Sequence, residues 1–381
     1  VIGDAPHLLI FDEAPYLIQQ DANFPAALQQ AWDDWIQDSA VTLVLCGSHL
    51  RMMDQLAHHG SPLYGRITLP LLLEPLGFAQ LRHFFPRWSA EERVAAYAMV
   101  GGVPEYYEWL EPARSLIDNL RDRVLRKPSP FLSEARYLIH DQLEQPAAHI
   151  SVIRALGQGH HAFDALRLHS EGAPNKLSVY LERLRQLHLV ERSVSALVRP
   201  QRVRDAKDSR WLLTDPYLRF YFRFLEPALQ TDVYDPEIAS ALIWSQLRGF
   251  VGATAFEDLC RTWVRQAGAK QLGFTPTVVG RHHGKGVEAD VVALNWDARR
   301  IMIGECKWDQ DRVDATQARK LLEVTAPRVM AVLAAREGEV SAWTMQPAFF
   351  ARAGFTAEAT RVLDKAGALR VDLKQLDRAL K

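Results

Sequence analysis

The stretch GVEADVVALNWDARRIMIGECKW, residues 286–308, has few ways to fold. Two runs rich in Val, Ile and Met, 287–294 and 301–308, flank a polar, charged connection at 295–300, which predicts two strands around a turn. Side chains alternate along a strand, so Glu305 and Lys307 share one face and Cys306 takes the other. If Asn295 pairs with Arg300, Asp290 falls opposite Glu305. Two carboxylates then meet across neighbouring strands with an ammonium beside them, and like charges so placed repel unless a cation lies between them. Oxygen ligands of this kind suit Mg²⁺, which binds one or two carboxylates plus phosphate and water. The same residues would also serve as a solvated surface pair.

With Glu257, in the helical stretch TAFEDLCRTWVRQ, the pattern resembles the PD-(D/E)XK nuclease superfamily, whose core hairpin carries Asp and then Glu-X-Lys. The resemblance implies that Asp290 and Glu305 hold Mg²⁺ or Mn²⁺, with the Cys306 carbonyl able to join them. Lys307 would orient the attacking water or offset charge on the phosphate, and Glu257 would add a ligand or water contact. Together they would form the catalytic set of a metal-assisted in-line displacement at a phosphodiester. Ala289 stands where that family usually has Pro, and Gln317 matches the Gln of RecB-like members, with Leu321 at the position of their Tyr.

At the other end, HLLIFDEAPYL is an apolar run closing on Asp12-Glu13, and VTLVLCGS closes on Ser48. SPLYGR supplies Arg66, and MVGGVPEYYEWL supplies Gly101, Gly102 and Pro104. This order is similar to the archaeal-type AAA+ ATPases related to the STAND NTPases. The similarity implies that Asp12 serves Mg²⁺ and Glu13 polarises the attacking water, as in a Walker B strand. Ser48 would be sensor 1, and Arg66, Gly102 and Pro104 would complete the nucleotide-binding residues. The bare alternative is a buried parallel strand with an acidic tip. No G-x-x-x-x-G-K-[ST] occurs in the sequence. The chain opens at Val1, close to the Walker B run, so the expectation is a polypeptide that lacks its phosphate-binding loop and binds ATP only in a longer, complete protein.

The 381 residues suffice for two or three domains, and a formal net charge of -1 excludes a global polycation. Nucleic-acid contact must come from local patches. Three dispersed cysteines, Cys46, Cys260 and Cys306, point to reduced thiols in a cytoplasmic setting. No apolar run reaches membrane length.

Between the two signals, 89–120 reads as helices broken at Gly101–Pro104 and Pro112, consistent with a helical lid. Helices follow around 149–156 and 163–169, and a third over 175–187 with Asn175 as N-cap and Leu177, Tyr180, Leu181, Leu184 and Leu187 on one face. Strand-like LVERSVSALV and RWLLT come next, joined by RPQRVRDAKDS. Helices followed by a β-ribbon read as a winged helix. Its basic residues Lys176, Arg183, Arg199, Arg202, Arg204 and Lys207 would track DNA phosphates. The alternative is a spacer with a solvated tip. The aromatic run LTDPYLRFYFRFLEP reads as interior packing.

The expected architecture is α/β and multidomain. Residues 1–88 form the C-terminal part of a AAA+ core, 89–136 a helical lid, 137–225 a winged helix-turn-helix and 226–381 a restriction-endonuclease-like α/β domain. The expected function is that of a prokaryotic, ATP-dependent, DNA-associated protein with a Mg²⁺-dependent nuclease domain, and a homo-oligomer through the ATPase core. The alternatives are a STAND-type nucleotide switch whose C-terminal domain binds without cleaving, and a transcriptional regulator.

Overall fold

The apolar run before Asp12 forms strand β1 (His7–Phe11), and VTLVL forms β2 (Val41–Leu45), paired in parallel from His7↔Val41 to Phe11↔Leu45. The computed structural model describes residues 5–143, 146–172, 175–206, 208–284, 286–338 and 340–380. The chain divides into two units, one of Val1–Glu74 with Leu138–Glu144, the other of Pro75–Tyr137 with Gln145–Lys381.

In the first unit, helices Ala14–Gln20 and Phe24–Ala31 supply the crossover that parallel strands require. Its core is small: Leu28, Leu56 and Leu63, backed by Phe11, Phe24, Leu43 and Leu45. A continuous apolar strand ordinarily has both faces covered. Leu8 and Ile10 of β1 are instead 63% and 53% exposed, and among the described residues β1 and β2 pair only with each other.

The second unit starts with helix Ala90–Val100, closed at its N-terminus by a reciprocal Ser89–Glu92 capping box and ended at Gly101 in the left-handed region. The following Gly-Pro pair has packing reasons of its own. Leu76 N donates to the Gly102 carbonyl at 2.8 Å, and a Cβ on Gly102 would stand 1.9 Å from the Leu76 carbonyl oxygen. Pro104 opens helix Pro104–Glu108, where its missing N–H costs nothing.

Helices Pro146–Gly157, Phe163–His169 and Leu177–Gln186 lead into an antiparallel ribbon, β3 (Val190–Val194) with β4 (Ser209–Leu213). Leu177, Leu181 and Leu184 face inward as their spacing requires. The expected Asn175 cap is not formed: the helix begins at Leu177, and Lys176 occupies the cap position with no side-chain bond. Tyr217, Phe220, Tyr221, Phe222 and Phe224 are all buried, so the aromatic run is interior packing.

Helix Pro236–Val251 continues through a π-helical turn, Gly252–Phe256, into helix Glu257–Leu272. A five-stranded sheet follows in spatial order β5 (Val278–His282), β6 (Ala289–Asn295), β7 (Arg300–Lys307), β8 (Thr344–Ala351) and β9 (Leu369–Asp372). The first three strands form an antiparallel meander, and the last two run parallel to β7. Cys260 and Trp263 of the Glu257–Leu272 helix meet Cys306 and Phe350 on one face. Ala318, Leu321, Val329, Leu333 and Leu363 form a core with Val292, Ile303 and Phe349 on the other. Cover on both faces explains why the middles of β6 and β7 are buried without alternation. The ribbon's root is built into this same body, because Ala196 N donates to the Arg281 carbonyl at 2.9 Å and Ala196 and Leu197 join that core.

Candidate functional site

The turn between β6 and β7 sets the register on which everything else depends. Asn295 Oδ1 accepts from Ala298 N at 2.9 Å, and Arg299 takes the left-handed conformation that a tight reversal needs. The ladder then runs from Asn295↔Arg300 to Val291↔Gly304. Carried one step beyond Val291↔Gly304, that register sets Asp290 opposite Glu305, and the Glu305 charge acts on Asp290. There the backbone ladder yields to a side chain: Asp290 Oδ2 accepts from Cys306 N at 2.8 Å. A residue's N–H and C=O leave an extended strand on the same side, so the Cys306 carbonyl also faces the Asp290 strand. Lys307 Nζ donates to Glu305 Oε1 at 2.8 Å.

Glu257 reaches the same rim from the helix on the opposite face. Arg261, one turn further along, ties the two elements by donating to the Asp290 carbonyl at 2.6 Å and to Glu257 Oε2 at 3.4 Å. Arg281 of β5 stands 3.9 Å from the Glu257 carboxylate and 3.7 Å from that of Asp258.

Burial dominates the electrostatics of the rim, with neighbouring carboxylates adding to it. Burial, then the neighbouring Glu305 charge, pushes Asp290 up to about 6. Burial, then the Asp290 charge, pushes Glu257 up to about 7, against the opposing pull of Arg261 and Arg281. Burial works to lower the Lys307 ammonium, but its bond to Glu305 and that charge raise it above its ordinary value. Among the described residues no group of three or more His, Cys, Asp and Glu side chains could hold an ion by itself. Glu257 therefore stands beside Asp290 rather than inside a three-carboxylate cage, and its charge is shared with two arginines. The Asp290–Glu305 pair fits a cation such as Mg²⁺, which completes its shell with water and phosphate. Gln317 is turned elsewhere: its Oε1 accepts from Asp314 N in a capping box.

In the first unit Asp12 is exposed and accepts from Glu13 N at 3.0 Å. Glu13 has φ 49°, a left-handed backbone that non-glycine residues adopt at a cost of about 1–2 kcal/mol. Its Oε2 meets Ser48 Oγ at 3.2 Å and Ser48 N at 3.4 Å, so the tips of β1 and β2 come together. Arg66 forms a two-point pair with Asp33, with Nε and Nη2 at 2.7 and 2.6 Å from the two carboxylate oxygens. Gly102 and Pro104 belong to the second unit, where the packing described above accounts for them.

The expected phosphate-tracking residues do not form one surface set. Arg199 is committed to Glu337 at 2.6 Å and lies over the Trp296 ring, so it fastens the ribbon to the sheet domain. Arg202 and Arg204 are exposed, Lys176 is exposed at its helix start, Arg183 is half-buried, and Lys207 lies outside the described residues. Sequence reading missed Arg261, Arg281 and His283. Arg261 had a signal, since it sits four residues after Glu257 and three after Asp258 on one helix. Arg281 and His283 had none, because only the folded meander brings β5 beside the acidic rim.

Residues 221–321, which include Glu257, Asp290, Glu305 and Lys307, match the model of a family, DUF234, described as archaeal and bacterial proteins of unknown function. An uncharacterised protein of Methanocaldococcus jannaschii, MJECL04, is 28% identical over 307 residues, covering 79% of this chain and 67% of that protein. Among solved structures, the Walker-type ATPase Paby2304 of Pyrococcus abyssi is similar at 21% identity and a TM-score of 0.40. That match covers 57% of this chain and spans 63% of the solved one, less than two thirds of its length.

Proposed function

We propose that the C-terminal domain hydrolyses phosphodiester bonds in DNA with Mg²⁺ or Mn²⁺, within a DNA-associated protein whose first unit is part of an ATPase core. The observation that supports this reading is the meeting of Asp290 and Glu305 across the β6–β7 pair, with Lys307 on Glu305 and Glu257 beside Asp290. The helix that begins with Glu257 precedes the hairpin, as the PD-(D/E)XK resemblance leads one to expect. Asp290 and Glu305 would hold the cation, with the Cys306 carbonyl facing them. The cation would supply Lewis-acid polarisation of the phosphate and a water of lowered pKa. Lys307 would place its ammonium where charge develops on the phosphate oxygens, and Glu257, raised by its surroundings, would accept a proton from water at neutral pH. For the first unit, the Glu13–Ser48 contact supports a role for these residues beside a nucleotide phosphate.

The test incubates the protein with Mn²⁺, with and without ATP, against linear, nicked and branched DNA. Cleavage by wild type is expected, with loss in Asp290→Asn. Lys307→Ala should keep metal binding, read as a thermal shift, while losing about 10²–10³-fold in rate. A wild-type protein that gains no stability from metal and cuts none of these substrates sinks the hydrolytic reading.

A second reading, a STAND-type switch in which a winged helix is a spacer and the sheet domain binds without cutting, draws on a separate observation. Ala196 and Leu197 at the ribbon's root share the sheet's core, and Arg199 is pinned to Glu337. Among the described residues no helix is long and apolar enough to cross a membrane.

A further inference from the structure

A cleft of about 660 Å³ opens between the ribbon module and the sheet edge, and Glu257 and Asp290 lie in its wall. Arg210 comes from the ribbon side, and Arg281 and His283 from the β5 edge. His283 is 5% exposed, and neither of its ring nitrogens has a hydrogen-bond partner. An imidazole is rarely buried with both nitrogens unsatisfied unless something else supplies the partners. Burial, with Arg210 and other cations nearby, pushes His283 down to about 4, so it stays neutral at physiological pH. A neutral imidazole offers one donor and one acceptor. That pairing complements the edge of a nucleobase, whereas a phosphate offers acceptors only.

Charge and size narrow the ligand further. Five carboxylates, Glu257 and Asp290 among them, line the cleft against four guanidiniums, Arg281 and Arg210 among them, so carboxylates outnumber guanidiniums by one. A polyanion would enter such a cleft only with a divalent cation to tip the balance. Pockets of about 300–1,000 Å³ engulf small organic ligands, so this one has room for about two nucleotides. A double helix is too wide for it.

We propose that the cleft takes a single nucleic-acid strand, with an unpaired base against His283 and its phosphate led past Arg281 to Asp290 and Glu305. The substrate class is single-stranded DNA or a frayed end, which rests on the phosphodiester reading above. Fluorescence anisotropy tests it on the Lys307→Ala protein in Mg²⁺, with labelled oligothymidine and a blunt duplex of equal length at one salt concentration. The single strand should bind at least about tenfold tighter than the duplex, and chelating the metal should erase that advantage. His283→Phe keeps an aromatic ring, though a larger one, and removes both nitrogens, and it should cost about tenfold on the single strand while leaving duplex affinity alone. Should that variant fail to fold, as judged by its thermal midpoint, Arg281→Met reads the same loss. Equal or tighter duplex binding overturns the proposal, as does single-strand affinity indifferent to both substitutions. A strand that binds as expected but is never cut by wild type leaves the cleft assignment standing and removes hydrolysis.

Discussion

Asp290 accepts a backbone hydrogen bond and still lies above the ordinary carboxyl range, because burial and the Glu305 charge outweigh what Cys306 N and Lys307 return. The consequence has a sign. A carboxyl raised in the folded state, from 3.8 to about 6 at Asp290 and from 4.5 to about 7 at Glu257, is held more easily protonated there than in the unfolded chain. The penalty is absent below the unfolded values, grows between about pH 4 and 7, and is complete above the folded ones. Metal-free protein should therefore lose stability across that window, measured as thermal midpoint in chelator. Asp290→Asn, which can still accept from Cys306 N, should stabilise the chelated protein at pH 8 by about 1 kcal/mol or more. A bound divalent cation reverses the sign, since it displaces those protons, so the Mg²⁺-induced shift should increase from pH 5.5 to pH 8. A shift independent of pH, or one surviving in Asp290→Asn, would place the cation elsewhere.

At the scale of elements, the legible parts were those carried by local rules. Alternation and turn chemistry gave the β6–β7 register and hence the Asp290–Glu305 pairing. The 3.6-residue spacing gave the buried face of helix Leu177–Gln186. What escaped was set by tertiary contact. Asn175 has the chemistry of a cap but stands one residue too early, since the helix starts at Leu177. The ribbon's charge looked uniform along the sequence, yet packing divides it: Arg199 faces Glu337 and Trp296, whereas Arg202 and Arg204 face solvent. This division gives separate outcomes. Reversing Arg202 and Arg204 to Glu should weaken DNA binding and flatten its salt dependence by about one phosphate contact per residue removed, with thermal stability unchanged. Arg199→Glu should place two carboxylates together and lower the thermal midpoint instead. If the paired reversal leaves both affinity and salt slope untouched, the ribbon makes no phosphate contact and serves as a spacer.

For the molecule as a whole, the question is what the first unit can do with the residues it has. β1 and β2 run parallel, and their tips bring Glu13 to Ser48, the geometry that would put a carboxylate and a hydroxyl beside a terminal phosphate. Binding a triphosphate, however, draws most of its energy from backbone amides and a lysine that wrap the β- and γ-phosphates. The sequence contains no G-x-x-x-x-G-K-[ST], and Arg66 is already neutralised by Asp33. Two acidic groups and a hydroxyl repel a triphosphate more than they attract it when no cradle is present. Calorimetry of this 381-residue polypeptide with Mg·ATP should accordingly show no binding in the micromolar range. Heat of binding at micromolar ATP would reveal a phosphate cradle of another kind. Glu13→Gln would then show whether the β1 tip faces that nucleotide. If it does, the substitution should leave affinity intact and stop hydrolysis, because the carboxylate orients the attacking water and does not hold the phosphates.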